Sequence, residues 1–117
     1  MDKIYNLEDR LIRFAGEVIF FCKTLPNSQT SKHYGDQIMR SSGSTALNFG
    51  EAQGSITDKD FIHKMSLVLK GLKETGVALK ILDYVEYGDA EKRKMLITEA
   101  NELSRISATM ILNKKRK

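Results

Sequence analysis

The chain has 117 residues, 41% of them hydrophobic and 29% charged, which is typical of one soluble globular domain that folds without disulfides. Its longest unbroken apolar run, residues 18–22, excludes a membrane-spanning helix, and no signal peptide is readable, so we expect a cytoplasmic protein without a membrane partner. The net charge of +4 lies in residues 114–117, because the rest of the chain carries 15 basic and 15 acidic residues, which excludes a strongly basic body.

The first predicted helix covers residues 7–25. Hydrophobic residues recur along it at alternating spacings of four and three, the repeat of a helix that packs in a bundle. Asn6 is suited to cap its N-terminus, and Pro26 ends it. Ile19 and the single cysteine, Cys22, widen the apolar stripe, and we interpret Cys22 as a small core residue rather than a nucleophile.

The second predicted helix, residues 31–54, contains few large apolar residues. At about 100° per residue, it has two neighbouring faces of mainly small residues and a third face that is polar. The first small face contains Ile38, Ser42, Thr45, Phe49 and Ala52, and the second contains Met39, Gly43, Ala46 and Gly50. The polar face contains Arg40, Ser44, Leu47 and Glu51, and it is bordered by Ser41 and Asn48. Glycine inside a helix costs about 1 kcal/mol relative to alanine unless packing offsets it, so both small faces predict close approach by neighbouring helices.

The third predicted helix covers residues 58–87, and the fourth covers residues 89–115. Thr57 is suited to cap the third helix, and Gly88 to end it. Both segments carry apolar residues at helical spacing, and the sequence shows neither strand-like alternation nor an internal repeat. Four amphipathic helices with short connections predict an all-α fold, an antiparallel up-and-down four-helix bundle formed by one domain, residues 1–117.

The polar face of the second helix predicts an assembly. Arg40 and Glu51 share this face but lie about 16 Å apart along the helix, so they cannot pair with each other. They are either simply exposed or paired with another helix or subunit, and we favour such a contact. We therefore predict a ring-like homo-oligomer whose interface contains Met39, Arg40, Gly43, Leu47, Asn48, Gly50 and Glu51.

No motif of the sequence supports catalysis. Asp60 and His63 have the spacing of one metal-binding pair of a di-iron bundle, but the second pair and the two further glutamates of such a site are missing. The serines around Ser41 have no histidine within local reach, and no glycine-rich phosphate loop occurs. We therefore expect no enzyme activity, no cofactor, no metal and no small-molecule substrate.

Two basic features are candidates for binding nucleic acid. One is a stripe of lysines opposite the core face of the third helix, with Tyr84 in the same arc, and the other is the C-terminal tail. The candidate contact residues are Lys59, Lys70, Lys73, Lys80, Lys114, Lys115, Arg116 and Lys117. Lysines in a row can follow phosphates beside an aromatic ring that stacks on bases. The alternatives are an ordinary solvated helix face and a basic helix end that complements the helix dipole.

Several pieces of the sequence together resemble a known family. They are Leu25-Pro26, the segment 37–44 (Gln-Ile-Met-Arg-Ser-Ser-Gly-Ser), Asn48 with Glu51, the segment 59–64 and the part of the third helix around Glu74. Over nearly its whole length the chain resembles the four-helix bundle proteins encoded in intervening sequences of bacterial 23S rRNA genes, also called S23 ribosomal proteins. It is also similar to the accessory proteins of diversity-generating retroelements.

This resemblance implies an up-and-down bundle that assembles into a ring, with a pentamer as the expected form. It also implies an association with RNA or with a nucleoprotein, so the predicted function is that of a non-enzymatic RNA-associated oligomer. The alternative is an oligomeric scaffold that recruits a protein partner and does not bind nucleic acid. Binding to RNA that depends on salt distinguishes the two.

Overall fold

The computed structural model describes residues 6–116, which form four α-helices and no strand. In chain order the helices are α1 (Leu7–Cys22), α2 (Gln29–Gln53), α3 (Asp58–Tyr84) and α4 (Ala90–Lys115). Each helix packs antiparallel against the next, and α1 also packs against α4. The predicted all-α, up-and-down four-helix bundle is therefore confirmed. None of the helices in the described range is long and apolar enough to cross a membrane.

A polar side chain caps the N-terminus of each of these helices. The caps are Asn6, Ser28, Thr57 and Asp89, and each accepts a hydrogen bond from the backbone N–H three residues later. Such a cap stabilises a helix by about 1 kcal/mol, because it satisfies an N–H group that has no partner in the first turn. The caps of α1 and α3 are those predicted. α2 begins two residues earlier than predicted because Ser28 caps it.

Helix α1 departs from the prediction at two points. It ends at Cys22 rather than at Leu25, because the backbone N–H groups of residues 23–25 bond to carbonyls three residues earlier and tighten the chain into a turn. Ile19, which was expected to widen the core stripe, is 47% exposed. Its side chain projects about 100° away from that of the buried Val18, toward the surface of the bundle.

Helix α3 ends at Tyr84, three residues before its predicted end. Glu86 and Gly88 have φ angles of 58° and 81°, in the left-handed region, which a right-handed helix does not contain. A β-carbon on Gly88 would lie 2.7 Å from Cε1 of Phe21, so this position needs glycine both for its conformation and for its space.

The hydrophobic core takes one face from each helix, but the helices contribute different kinds of side chain. α1 and α3 provide most of the large apolar residues, including Phe14, Phe21, Leu72 and Leu79. α2 buries small hydroxyl residues as well as apolar ones, among them Ser41, Ser42 and Thr45. The first small face of α2 is therefore packed inside the bundle, as predicted.

Helices α2 and α3 approach closely at a contact that we call the α2–α3 seam, formed by Ser41, Thr45, Gly71 and Thr75. A β-carbon on Gly71 would lie 2.9 Å from Cγ2 of Thr45 and 3.0 Å from the backbone oxygen of Ser41, so only glycine fits without a shift. The Oγ of Ser41 and the Oγ1 of Thr75 are 2.6 Å apart, and the Thr75 hydroxyl donates to the Gly71 carbonyl at 2.8 Å. Because the single hydroxyl hydrogen of Thr75 is used there, Ser41 is the donor between the two hydroxyls.

Helices α1 and α4 stand further apart. A groove of about 570 Å³ opens between them, with Phe14, Met95 and Leu96 among its lining residues, and we call it the Met95 groove. Beside it, Nε and Nη2 of Arg10 donate to the two carboxylate oxygens of Glu99 at 3.1 and 2.7 Å. The contact between these two helices is therefore looser than the α2–α3 seam, and an ion pair spans it.

The turn between α3 and α4 closes around a buried arginine that no local sequence pattern predicted. Nε of Arg93 donates to Oδ1 of Asp83 at 2.6 Å. Its Nη1 donates to the backbone carbonyls of Tyr87 and Gly88 at 2.7 and 3.0 Å. Arg93 thereby satisfies two carbonyl groups of the turn that follows α3.

Candidate nucleic-acid and subunit interfaces

The lysine stripe on α3 consists of Lys59, Lys70, Lys73 and Lys80. All four side chains are exposed on the side of the helix opposite its buried face. Within residues 6–116, none of them has an ion-pair partner. The stripe extends for about 32 Å along the helix axis at about 1.5 Å per residue. The structure thus leaves these ammonium groups available to an anionic partner.

A groove of about 390 Å³ lies between α2 and α3, beside two lysines of the stripe. Tyr34 and Gln37 of α2 form one wall, and Lys70, Lys73 and Ile81 of α3 belong to the other. We call it the Tyr34 groove. It brings an aromatic residue and an amide residue into one groove with two lysines, a combination that the lysine stripe alone does not provide.

The basic C-terminal tail is only partly free. Lys114 is half-buried, with Nζ 3.7 Å from Oδ1 of Asp58 and 4.7 Å from the ring centre of Phe61. It joins α4 to the start of α3, so it is less accessible to nucleic acid than the sequence suggested. The remaining tail residues are Lys115 and Arg116, which are exposed, and Lys117, which lies outside the described residues.

Five residues of the predicted subunit interface form an open surface. Met39 and Leu47 are 37% and 71% exposed. A β-carbon on Gly43 would meet no atom within 4 Å, and Gly50 is exposed. Arg40 is also exposed and has no ion-pair partner in the described part of the chain. Most of the second small face of α2 therefore lies open rather than packed against a helix of this chain.

Exposed apolar side chains of α1 extend this surface. A β-carbon on Gly50 would lie 3.9 Å from Oε2 of Glu8, which places the Glu8 side of α1 alongside α2. Ile12 and Ile19 lie on the same side of α1 by helical periodicity, and they are 54% and 47% exposed. We call the combined area the α1–α2 surface; it contains Ile12, Ile19, Met39, Gly43 and Leu47. Contiguous exposed apolar residues of this kind typically mark an interaction site.

The other two predicted interface residues are engaged within the chain. The amide Nδ2 of Asn48 donates to the backbone carbonyl of Ser44 at 2.9 Å. Nζ of Lys64 lies 2.5 Å from Oε1 of Glu51, so α3 supplies the partner that Glu51 was expected to need. Asn48 and Glu51 therefore contribute to the bundle itself.

Most of the chain matches a known protein family. The family model described as 23S rRNA-intervening sequence protein matches residues 6–109. The chain belongs to this family. Among solved structures, it is similar to a protein of unknown function from the S23 ribosomal protein family of Bacteroides thetaiotaomicron VPI-5482, with 28% identity and a TM-score of 0.82 over 94% of this chain and 98% of that chain. No curated protein matches the chain.

The residues considered for catalysis do not assemble into a site in this 23S rRNA-intervening sequence protein. Asp60 and His63 are exposed, and residues 6–116 contain no group of three or more His, Cys, Asp or Glu side chains that could hold a metal ion. The Ser41 hydroxyl is bonded to Thr75 inside the bundle. Burial raises the pKa of the Cys22 thiol to about 11, so it is protonated at neutral pH and a poor nucleophile.

The Tyr34 groove of this family member escaped prediction from the sequence. Tyr34 and Gln37 lie one turn apart on the edge of α2, which is a weak signal for a binding site. Their importance depends on which part of α3 lies opposite them. Only the antiparallel register, fixed by the α2–α3 seam, brings them to Lys70 and Lys73.

Proposed function

We propose that this protein is a non-enzymatic, cytoplasmic homo-oligomer that binds RNA, alone or within a nucleoprotein, through the lysine stripe. The observation that supports this most is that the stripe is exposed and free of ion-pair partners within residues 6–116. Apart from the tail, the chain has equal numbers of basic and acidic residues, so the stripe is a local concentration of charge. The family description refers to 23S rRNA-intervening sequences, which makes RNA the anionic partner to test first.

The proposed homo-oligomer forms through the α1–α2 surface. This surface is apolar, and the small side chain of Gly43 permits close approach of a second helix. α1 lies diagonally opposite α3 in the bundle, so association through the α1–α2 surface leaves the lysine stripe of α3 free. A ring, with the pentamer as the form that the resemblance implies, repeats the stripe in every subunit. Several weak cationic contacts then act together on one RNA.

The nucleic-acid part of the proposal is tested by reversing the charge of the stripe. We expect the native protein to bind RNA weakly and with little sequence preference, and the affinity to fall steeply between about 50 and 200 mM salt because neutralised phosphates release counterions. The triple variant Lys70→Glu, Lys73→Glu, Lys80→Glu should lose binding. Fluorescence anisotropy with a labelled RNA of mixed sequence measures both effects.

The matched control carries the same change of charge elsewhere on the surface. Lys23, Lys32 and Lys92 are exposed and lie outside the stripe, so replacing all three by glutamate should retain most of the binding. Circular dichroism should show that both triple variants keep the helical fold. Equal loss of binding in the two variants would mean that only net charge matters and that the stripe is not a site.

The assembly part of the proposal is tested by sedimentation. Native protein should sediment as an oligomer, and a species of 13.3 kDa at micromolar concentration would rule the proposal out. Gly43→Leu should dissociate the oligomer without unfolding the subunit, since the space around Gly43 is open within the chain. Thr109→Leu places the same side chain on an exposed position of α4 and should leave the assembly intact.

The Met95 groove supports a second candidate function, the recruitment of a protein partner by an oligomeric scaffold. Met95 is 63% exposed beside an apolar floor formed by Phe14 and Leu96. Charged side chains of both signs, including Arg13 and Glu17, line the same groove, which suits an amphipathic partner helix better than a phosphate backbone. A native oligomer that fails to bind RNA even at low salt favours this function.

A further inference from the structure

We infer that the Tyr34 groove receives an unpaired nucleobase of the bound RNA, so that the protein prefers single-stranded RNA to a duplex. This inference rests on the proposed association with RNA and adds the form of RNA and the residues that select it. Its starting point is the position of the groove, which lies directly beside two of the lysines that are proposed to contact phosphates.

The shape and lining of the groove suit a flat ring with polar edges. Its volume of about 390 Å³ falls within the range of small-ligand pockets, about 300–1,000 Å³. Tyr34 is half-buried, and its ring lies at 87° to the neighbouring His33 ring with the ring centres 4.8 Å apart. Val77 and Ile81 are 59% and 39% exposed, so they offer apolar contacts on the opposite side of the groove. A base that enters contacts the Tyr34 side chain on one wall and aliphatic groups on the other.

Polar groups of the groove match the two ends of a nucleotide. Lys70 and Lys73 line it and have no ion-pair partner within residues 6–116, so they are available for the phosphates on either side of the base. The amide of Gln37 offers both donors and an acceptor to the edge of a base. The half-buried carboxylate of Glu74 accepts hydrogen bonds from exocyclic amino groups.

This arrangement favours unpaired over paired bases. In an RNA duplex both faces of each base are stacked and the pairing edge is occupied, so side chains contact mainly phosphates and 2′-hydroxyl groups. An unpaired base can leave the stack and present its face to an aromatic ring. The lysine stripe alone accepts both forms of RNA, whereas the Tyr34 groove has chemistry that only the unpaired form can use.

The inference is tested by variants that remove the Tyr34 ring and leave the charge of the lysine stripe unchanged. We expect native protein to bind a single-stranded RNA of mixed sequence more tightly than a duplex of the same length. Tyr34→Ala should weaken single-strand binding by about fivefold or more, the effect of removing one stacking aromatic, and should leave duplex binding unchanged. Tyr34→Phe keeps the ring and should keep the preference. Tyr84→Ala removes an exposed ring outside the groove and should have the smaller effect.

Photo-crosslinking shows independently where on the protein the RNA base lies. RNA that contains 5-iodouridine should crosslink to the tryptic peptide 33–40, which contains Tyr34 and Gln37. Crosslinks confined to the peptide 81–92, which contains Tyr84 and Tyr87, would place the base elsewhere and overturn the inference. A thermal melt of each variant separates loss of binding from loss of fold.

The outcomes distinguish this inference from the proposed function beneath it. If the native protein binds no RNA, both fail. If charge reversal of the stripe abolishes binding while Tyr34→Ala leaves the preference between single strand and duplex unchanged, the proposed function stands and the nucleobase site is wrong. If Tyr34→Ala removes the preference and Tyr34→Phe retains it, the nucleobase site is supported.

Discussion

The α2–α3 seam and the contact between α1 and α4 join antiparallel helices of one bundle in opposite ways. At the seam, the absence of a side chain on Gly71 and the short hydroxyl residues let two backbones approach closely. Between α1 and α4, the Met95 groove stays open, and a partly exposed ion pair between Arg10 and Glu99 spans the helices. Close packing therefore holds α2 and α3 in one register on the side of the bundle that carries the lysine stripe. On the other side, an open groove separates α1 from α4.

This difference predicts unequal tolerance to substitution. Tightly packed interiors respond even to one added methyl group, because their neighbours have little room to move. A partly solvated ion pair contributes little, because water screens it and compensates its loss.

A methyl group added at the seam should destabilise the protein, whereas one added on the open surface should not. Gly71→Ala places a β-carbon 2.9 Å from Cγ2 of Thr45, and we expect a loss of about 1–3 kcal/mol in the free energy of unfolding. Gly43→Ala meets no atom of its own chain within 4 Å, so the free energy of unfolding of the subunit should rise by up to about 1 kcal/mol from helix propensity. Urea unfolding measures the change in the free energy of unfolding for each variant, and equal changes would show that the seam is not closely packed.

The two hydroxyl groups of the seam should contribute unequally. Thr75→Val leaves the buried Ser41 hydroxyl without an acceptor, and we expect a cost of about 1–3 kcal/mol, the penalty of an unsatisfied buried polar group. Ser41→Ala leaves Thr75 still donating to Gly71, so it should cost only about 0.5–1.5 kcal/mol. The double variant should cost less than the sum of the two. A larger loss for Ser41→Ala than for Thr75→Val would reverse the assigned donor.

The ion pair between α1 and α4 should give the smallest effect. Arg10→Met removes both hydrogen bonds to Glu99, but the side chains involved are 18% and 33% exposed, so we expect a loss of at most about 1 kcal/mol. High salt should shrink this loss further, because it screens the pair in the native protein. Urea unfolding at low and high salt, with Glu99→Gln as the companion variant, tests this. A loss as large as that of Gly71→Ala would contradict the contrast.

Local patterns in the sequence predicted the parts of the molecule that depend on one helix at a time. The periodicity of apolar residues gave the number of helices and most of their buried faces, and the capping roles of Asn6 and Thr57 follow from residue type and position. The small residues of α2 correctly indicated a close helix contact. They did not indicate that Gly71 of α3 is the glycine on which that contact depends.

The features that prediction missed depend on the alignment of one helix against another. Ser41 meets Thr75, and Tyr34 faces Ile81, only because α2 and α3 pack in a particular register, which no pattern within either helix specifies. The buried position of Arg93 likewise depends on the turn that carries the carbonyls of residues 87 and 88 toward it. The lysine stripe was predictable because all its members belong to one face of one helix.

The arginine-centred turn between α3 and α4 makes this end of the molecule sensitive to acid. Hydrogen bonding from Arg93 holds the pKa of the Asp83 carboxyl below its usual range. The stability that this provides is complete above the unfolded-state pKa of about 4, and it is lost as the pH falls through the lower pKa of the folded protein. Protonation leaves the buried guanidinium without its counterion, whereas the α2–α3 seam contains no titratable side chain. Acidity should therefore open the bundle from this end. On acidification, the protection of amides against exchange, relative to their intrinsic rates, should fall at residues 85–93 before it falls at the seam, and Asp83→Asn should abolish that order.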